Sequence, residues 1–324
     1  LLPIILNSYF CFKLYPKPSS TKNKRNITLK FGKVDNPAIL DLRLPKDHID
    51  TLRILSNSPR KDLHPKIHIG CPRWAKTELK GFYPKGTKDE LTYYSTQFNA
   101  IEMNAYYYRI FPTTTVDKWY ERSAPDFTFF PKVPQLISQY RRLKNCKNEL
   151  DDFFVSISHF NEKRGTVFLQ MNENYGPSNF NDFANFIEAW PKDLTLTVEL
   201  RHADWFNDGG MADELYSLLE ENKVGNTITD TAGRRDILHM RLTTPTCFVR
   251  FTGANHSSDV ERLDEWFERL TEWKNLGIEQ INFFIHQTIE KDLQMLSARL
   301  IQKINKEWGY NLVVPGEEVN GSLF

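Results

Sequence analysis

From residue 66 onward, short β-branched or aromatic runs alternate with longer amphipathic ones. Runs of period two predict strands over 66–70, 100–104, 127–132, 166–170, 194–199, 226–230, 247–251 and 281–286. Runs with helical spacing predict helices over 88–97, 114–123, 145–160, 179–189, 211–222, 259–276 and 290–307. Only the connection after Asp230 has no long helical pattern. Eight strands alternating with helices predict an α/β fold, a (β/α)8 TIM-barrel-like single domain over residues 66–310. An open doubly wound sheet is the rival. Such sheets usually carry a Gly-rich phosphate turn after the first strand, whereas this strand runs into "IGCPRW".

The flanks follow other patterns. Residues 1–26 read as a leader, disordered or non-native, because a basic polar run over 17–26 follows the apolar run 1–12. A secretion signal is the weaker reading there, with no basic region before the apolar run and no small-residue cleavage site after it. Residues 27–65 hold two short apolar runs among prolines and charges and are expected to form an N-terminal extension packed on the barrel. Residues 311–324 are expected to be a C-terminal tail.

Strand parity carries the argument from fold to site. In a barrel, alternate strand residues point inward while the others face the helices and should be apolar. That rule sends His68 inward from the first strand, then Ala100, Glu102 and Asn104, then Thr128, Phe130 and Lys132. Thr166, Phe168 and Gln170 follow, then Thr197, Glu199 and Arg201 from "TLTVELRHADWF" at 195–206. The sixth strand sends Asn226, Ile228 and Asp230, the seventh Phe248 and Arg250, and the eighth Asn282, Phe284 and His286. The inward residues nearest the carboxyl ends are therefore Glu102, Asn104, Lys132, Gln170, Glu199, Arg201, Asp230, Arg250 and His286. All are polar, and the C-terminal face of such a barrel is where active sites are built. The competing reading is a buried network in which acids neutralise bases. Buried charges cost several kcal/mol each unless paired, so a polar binding cavity is the preferred reading of the set.

Three blocks of sequence bear a family resemblance. "IGCPRW…LKGFYPKGTKDELTYYSTQFNAIEMNAYYYRIF", "FFPKVPQLISQYRRL" and "VELRHADWF" resemble the YecE-like family, domain of unknown function 72, in order and spacing from residue 66 to about residue 306. "DTAGRRDILHMRLTTPTCFVRFTGANH" and "FFIHQTIEKD" look like a subgroup of it. Where the family has Ser-Gly-Trp after the first strand, this chain has Cys71-Pro72-Arg73-Trp74, and Ala203 replaces the proline of "RHP". The resemblance implies a barrel and supplies no reaction.

The residues themselves suggest chemistry. Arg109, Arg201 and Arg250, with Lys132, fall at or beyond strand ends and suit a phosphate or carboxylate; Arg141 and Arg142 are either rim or solvated loop. Glu102 and Glu199 are candidate acid and base if their environments split their pKa values, with Asp230 beside them. Lys132 is a candidate proton donor or, with a depressed pKa, a Schiff-base nucleophile, though nothing in "FFPKVP" is diagnostic of that. Asn104, Gln170 and His286 are expected to contact substrate. Trp74 and Trp205 are candidate stacking surfaces, while loop packing is the simpler expectation for Tyr106, Tyr107 and Tyr108. Divalent metal is the one cofactor weighed, on His68, Glu102, Glu199, Asp230, His239, His256 or His286. No His-x-His or His-Glu-x-x-His spacing supports it, and the neighbouring cations oppose it.

Composition narrows the classes further. A net charge of +1, with 26% charged and 40% apolar residues, gives no global field toward nucleic acid or membrane. Four scattered cysteines without metal spacing fit a reducing cytoplasm. No stretch approaches the ~20 apolar residues that span a bilayer. The leading expectation is an enzyme acting on a phosphorylated or other anionic small molecule. The rivals are a metal-dependent nucleic-acid phosphodiester hydrolase, by analogy with endonuclease IV-type barrels, and a non-catalytic module that binds an anionic ligand.

Overall fold

Strands with apolar residues on one face and interior-facing residues on the other need cover on both sides, and the chain supplies it. The computed structural model describes residues 34–58, 64–207, 209–287 and 292–317. Among the described residues nine strands run β1 Lys66–Cys71, β2 Ala100–Met103, β3 Thr128–Pro131, β4 Val167–Gln170, β5 Leu196–Glu199, β6 Gly225–Asn226, β7 Ile228–Thr231, β8 Thr246–Gly253 and β9 Gln280–Gln287. The helices are α1 Ile49–Ser56, α2 Glu90–Gln97, α3 Ala105–Tyr108, α4 Thr113–Arg122, α5 Lys147–Ser158, α6 Phe180–Glu188, α7 Asp204–Asn207, α8 Gly209–Glu221, α9 Ser258–Leu276 and α10 Leu293–Trp308. Each strand expected from sequence is present within two residues at either end, the sixth as the pair β6 and β7 divided by Thr227. The start expected for the last helix, Glu290, lies outside the described residues.

All strand pairs are parallel. Six strands pair in the order β3-β2-β1-β9-β8-β7 and three in the order β4-β5-β6. Parallel bridges Phe129↔Arg164 and Lys132↔Phe168 join β3 to the β4 side, and β6 runs into β7 across Thr227. β1 and β2 approach so closely that a Cβ on Gly70 would lie 2.0 Å from the Ala100 carbonyl oxygen, which is why glycine stands there.

Two apolar layers separate by parity. One large cluster joins the helix-facing residues Ile69, Ile101, Met103, Phe129, Leu169, Val198, Val249 and Phe283 to Tyr94, Phe153, Phe183, Leu219, Trp266 and Leu300 on the helices. The second contains Ala100, Phe130, Phe168, Phe248 and Phe284, all from the set expected to point inward. His68 joins this interior, edge-on to Phe130, with Nδ1 2.8 Å from the Asn282 side-chain oxygen. Burial pushes its pKa down to about 4, so it is a neutral hydrogen-bonding residue.

The sixth strand departs from its expected parity. Ile228 belongs to the helix-facing cluster, and the Thr227 hydroxyl meets that of Thr197 at 2.8 Å. Thr227, Thr229 and Thr231 thus take the inward face, and Asp230 points to the helices. The physical reason is the partner set outside: Arg262 Nη2 and Trp266 Nε1 of α9 each donate to Asp230 at 2.8 Å, and Arg235 donates as well. An aspartate so matched gains more from that pocket than from the interior, while threonine tolerates either face.

The connection from β7 to β8 holds only the short turn Arg235–Ile237. α1 occupies the place a helix would have taken. The Thr51 hydroxyl donates to the Met240 carbonyl at 2.7 Å and accepts from the Leu242 N–H at 2.9 Å. Arg53 pairs with Glu220 of α8 at 2.7 Å, and Asp47, just before α1, accepts from Trp273 of α9 at 2.9 Å.

Candidate active site

Polar side chains leaving the carboxyl ends of β2, β3, β4, β5, β8 and β9 meet in one connected network. Arg250 of β8 sits at its centre. Its Nε and Nη2 donate to the two oxygens of Glu102 at 2.9 and 3.0 Å, and its Nη1 donates to Glu199 at 2.7 Å. Its guanidinium lies 4.8 Å from the Phe168 ring centre, on the apolar floor. Glu102 also accepts from the Asn104 amide at 2.8 Å and meets His286 Nε2 at 3.1 Å. Glu199 accepts from Arg201 and, at 3.2 Å, from the Gln170 amide. Gln170 passes the chain on by accepting from Lys132 Nζ at 3.0 Å.

The charges set one another. Burial opposes ionisation of Glu102, but Arg250 and then His286 outweigh it and hold the carboxyl well below its usual range. Burial likewise raises Glu199, yet Arg201 and Arg250 bring it down to about 2. Both carboxylates therefore move in the same direction. The split that would make one an acid and the other a base is absent, because arginines hold both ionised: Arg250 at Glu102, and Arg201 with Arg250 at Glu199. Lys132 behaves differently. Burial first, and then Arg250, pushes its ammonium down to about 7 against the pull of Glu102 and Glu199. Burial also lowers His286.

A cleft of about 670 Å³ opens above this network. Glu102, Asn104, Lys132, Gln170, Arg250 and His286 line its base. Trp74, Arg73 and Glu78 from the β1–α2 loop, with Tyr107 and Tyr108 of α3, line its walls. Arg73 and Glu78 pair at 3.0 Å. Tyr107 places its ring centre 4.6 Å from Lys132 Nζ. Arg201 stands at the edge of the network, tied to Glu199.

Three expected site residues lie elsewhere. Asp230 faces α9, as described. Arg109 follows the turn of α3, which carries it to the exposed surface, where it covers the Phe111 ring at 4.6 Å. Trp205 is fully buried: it donates to the Tyr175 carbonyl at 2.6 Å and packs on Phe183. Its indole fills the space under α6 and has no open face for stacking. Of the other arginines weighed, Arg141 pairs with Glu149 at 2.8 Å and Arg142 covers Tyr175. Among the described residues no group of three or more His, Cys, Asp or Glu side chains converges as a metal site. Replacing Asp230 with Asn should weaken the protein by about 1–3 kcal/mol in urea unfolding, by the loss of charge-assisted bonds. An unchanged unfolding midpoint would show that these bonds contribute nothing to the fold.

Sequence reasoning named Trp74 of the β1–α2 loop but missed its neighbours Arg73 and Glu78, and took Tyr107 for loop packing. The departure at Cys71–Trp74 was the available signal for the loop. The Cys71 thiol turns away into the core, against the Tyr94 hydroxyl at 3.1 Å, and Arg73 takes the cleft side. For Tyr107 the signal was the tyrosine triplet directly after β2, which one helical turn divides. Tyr106 is buried, whereas Tyr107 and Tyr108 reach the cleft.

The family model described as "Protein of unknown function DUF72" matches residues 68–316. UPF0759 protein YecE of Escherichia coli (strain K12) is 26% identical over 229 residues, covering 64% of this chain and 82% of the relative. UPF0759 protein YunF of Bacillus subtilis (strain 168) is 25% identical over 150 residues, or 44% of this chain and 52% of the relative. A crystal structure of a DUF72 family protein from Enterococcus faecalis V583 superposes with a TM-score of 0.60 at 18% identity, over 77% of this chain and 100% of that one. That likeness is one of fold. No helix among the described residues is long and apolar enough to cross a membrane.

Proposed function

The chain belongs to the DUF72 family, whose description supplies no activity, and we propose from the site itself that it is an enzyme acting on a phosphorylated or otherwise anionic small molecule in the cleft above Arg250. The reading takes the two sheets as one closed (β/α)8 barrel over residues 66–310, with 27–65 as an extension and 311–324 as a tail. The bridges between β3 and β4 and the continuity of β6 with β7 support closure.

The observation that carries the functional reading is Lys132. It is 6% exposed and lines the cleft, and its ammonium is bonded to a neutral amide. No carboxylate of the described residues lies within ion-pair distance of it, so an incoming anion would be its natural counter-ion. Arg250 lies beside it, and three of that guanidinium's five N–H donors are committed to Glu102 and Glu199. Two ionised carboxylates already match Arg250 and Arg201, which leaves the charge of Lys132 to decide what binds. In this reading Glu102 and Glu199 hold the arginines in place and do not carry protons. Lys132, poised between its charged and neutral forms near pH 7, moves the proton, with His286 as its neighbour in the cleft.

Calorimetric titration tests this with inorganic phosphate and with pyruvate. At least one should bind saturably at pH 6.5, and Lys132→Met should weaken that binding at least tenfold. If the wild-type protein binds neither anion, the reading fails.

A further inference from the structure

The proton role just described leaves one feature of the site unused. Lys132 carries a primary amine, and it is the only lysine among the described residues that lines the cleft. We propose that Lys132 is also a nucleophile: its Nζ adds to the carbonyl carbon of an anionic aldehyde or ketone held in the cleft and forms an imine. This rests on the anion-binding reading and narrows its substrate to carbonyl compounds.

The surroundings of the amine suit this step. Gln170 Oε1 accepts from Nζ at 3.0 Å and the bridge Lys132↔Phe168 fixes its backbone, so the side chain has one anchored direction. The Tyr107 ring at 4.6 Å and the Phe168 ring at 5.4 Å wall two sides. A lysine kept only for its charge would gain from a carboxylate at contact distance. A nucleophilic lysine would lose from it, because the carboxylate would hold the amine protonated. Glu102 and Glu199 instead bond to Arg250, near enough to attract a cation at Lys132 without binding it directly. Those carboxylates offset the repulsion that Arg250 and Arg201 exert on the iminium cation that the reaction produces.

The step balances with groups at hand. The Nζ lone pair forms the C–N bond while the carbonyl π pair moves to oxygen, and one N–H proton passes to that oxygen to give a carbinolamine. The nitrogen pair then expels the oxygen, which takes a second proton from solvent and leaves as water. The product is a protonated imine, and no oxidant or reductant takes part.

Trapping with sodium cyanoborohydride and peptide mass mapping test the proposal. Pyruvate and dihydroxyacetone phosphate are the probes, and acetone is the neutral control. At pH 7, at least one anionic probe should label Lys132 at least tenfold faster than any surface lysine, saturably in probe, and acetone should not. The rate at Lys132 should rise through about pH 7, where the amine loses its proton. Lys132→Arg should abolish that label while leaving the circular dichroism spectrum of the fold unchanged. Equal labelling of Lys132 and surface lysines by both probes would overturn the proposal. If pyruvate or phosphate still binds in calorimetry, that failure leaves the anion-binding reading standing; if neither binds, both fall.

Discussion

Lys132→Met should make the protein more stable at pH 6–7 while weakening its binding of phosphate or pyruvate at least tenfold. The free amine in the unfolded chain titrates near 10.5, and in the folded protein near 7. Folding therefore releases a proton between those values, and the unfolded state binds more protons there. Stability of the wild type must rise with pH across that window. Below about pH 7 the folded protein carries the full cost of a buried ammonium, which fades as pH approaches 10.5. A shift of that size corresponds to at most about 5 kcal/mol, and the lost bond to Gln170 offsets about 1 kcal/mol of it. Urea unfolding should show Lys132→Met ahead by about 1–4 kcal/mol at pH 6.5, with the gap closing toward pH 10. A variant less stable than wild type at pH 6.5, or a gap that ignores pH, would mean the lysine is a structural member of the network. The outcome matters for function, because a residue retained at a cost to stability must return something else.

Arg250→Met should have the opposite effect. It takes from two carboxylates that are 0% and 1% exposed the arginine they share, leaving Glu199 with Arg201 and Glu102 with His286, and breaking a buried pair from one side typically costs about 3–5 kcal/mol. The pH dependence follows from the direction of the carboxylate shifts. Glu199 ionises near 4.5 when unfolded and near 2 when folded, so its contribution is complete above the higher value and is lost as pH falls through the lower one. Glu102 shifts in the same direction with Arg250 as its largest counter-charge, so its contribution falls most without Arg250, while Glu199 keeps part of its own through Arg201. The deficit of Arg250→Met should therefore be greatest at pH 6–8 and shrink as the solution is acidified from pH 5 toward pH 3. Adding Glu102→Gln to Arg250→Met should recover part of the loss by removing one stranded charge. A deficit below about 1 kcal/mol, or one indifferent to acid, would show that water reaches these carboxylates and that the network is not dry.

The legible part of this molecule was the part governed by alternation. β2, β4, β5, β8 and β9 pair an apolar helix-facing side with a mixed interior side, so alternation alone places Glu102, Gln170, Glu199, Arg250 and His286. The rule failed at β7 because threonine satisfies neither face decisively. The partners that hold Asp230 outside, Arg262 and Trp266, lie over thirty residues along the chain. It failed again just beyond strand ends. Arg109 and Trp205 have the right composition for a site, but one turn of α3 exposes the first and α6 buries the second. Nor could sequence show that Arg250 would serve both glutamates, since that depends on two strands facing each other across the interior. α1 was hidden for a similar reason: its role is defined by the helix missing after β7.

That borrowed helix has a consequence for how the chain is made. Thr51 finds its partner at Met240, 189 residues downstream, and Leu44 finds Glu265 still later, 221 residues along. A ribosome adding about 5–20 residues per second would leave α1 waiting roughly 10–40 s for the surface it covers. Throughout that interval its apolar face, with Leu55, must be tolerated in solution or shielded by another protein. The two sheets can form before α1 docks, so α1 is expected to be the last element to settle and the first to leave when the protein is stressed.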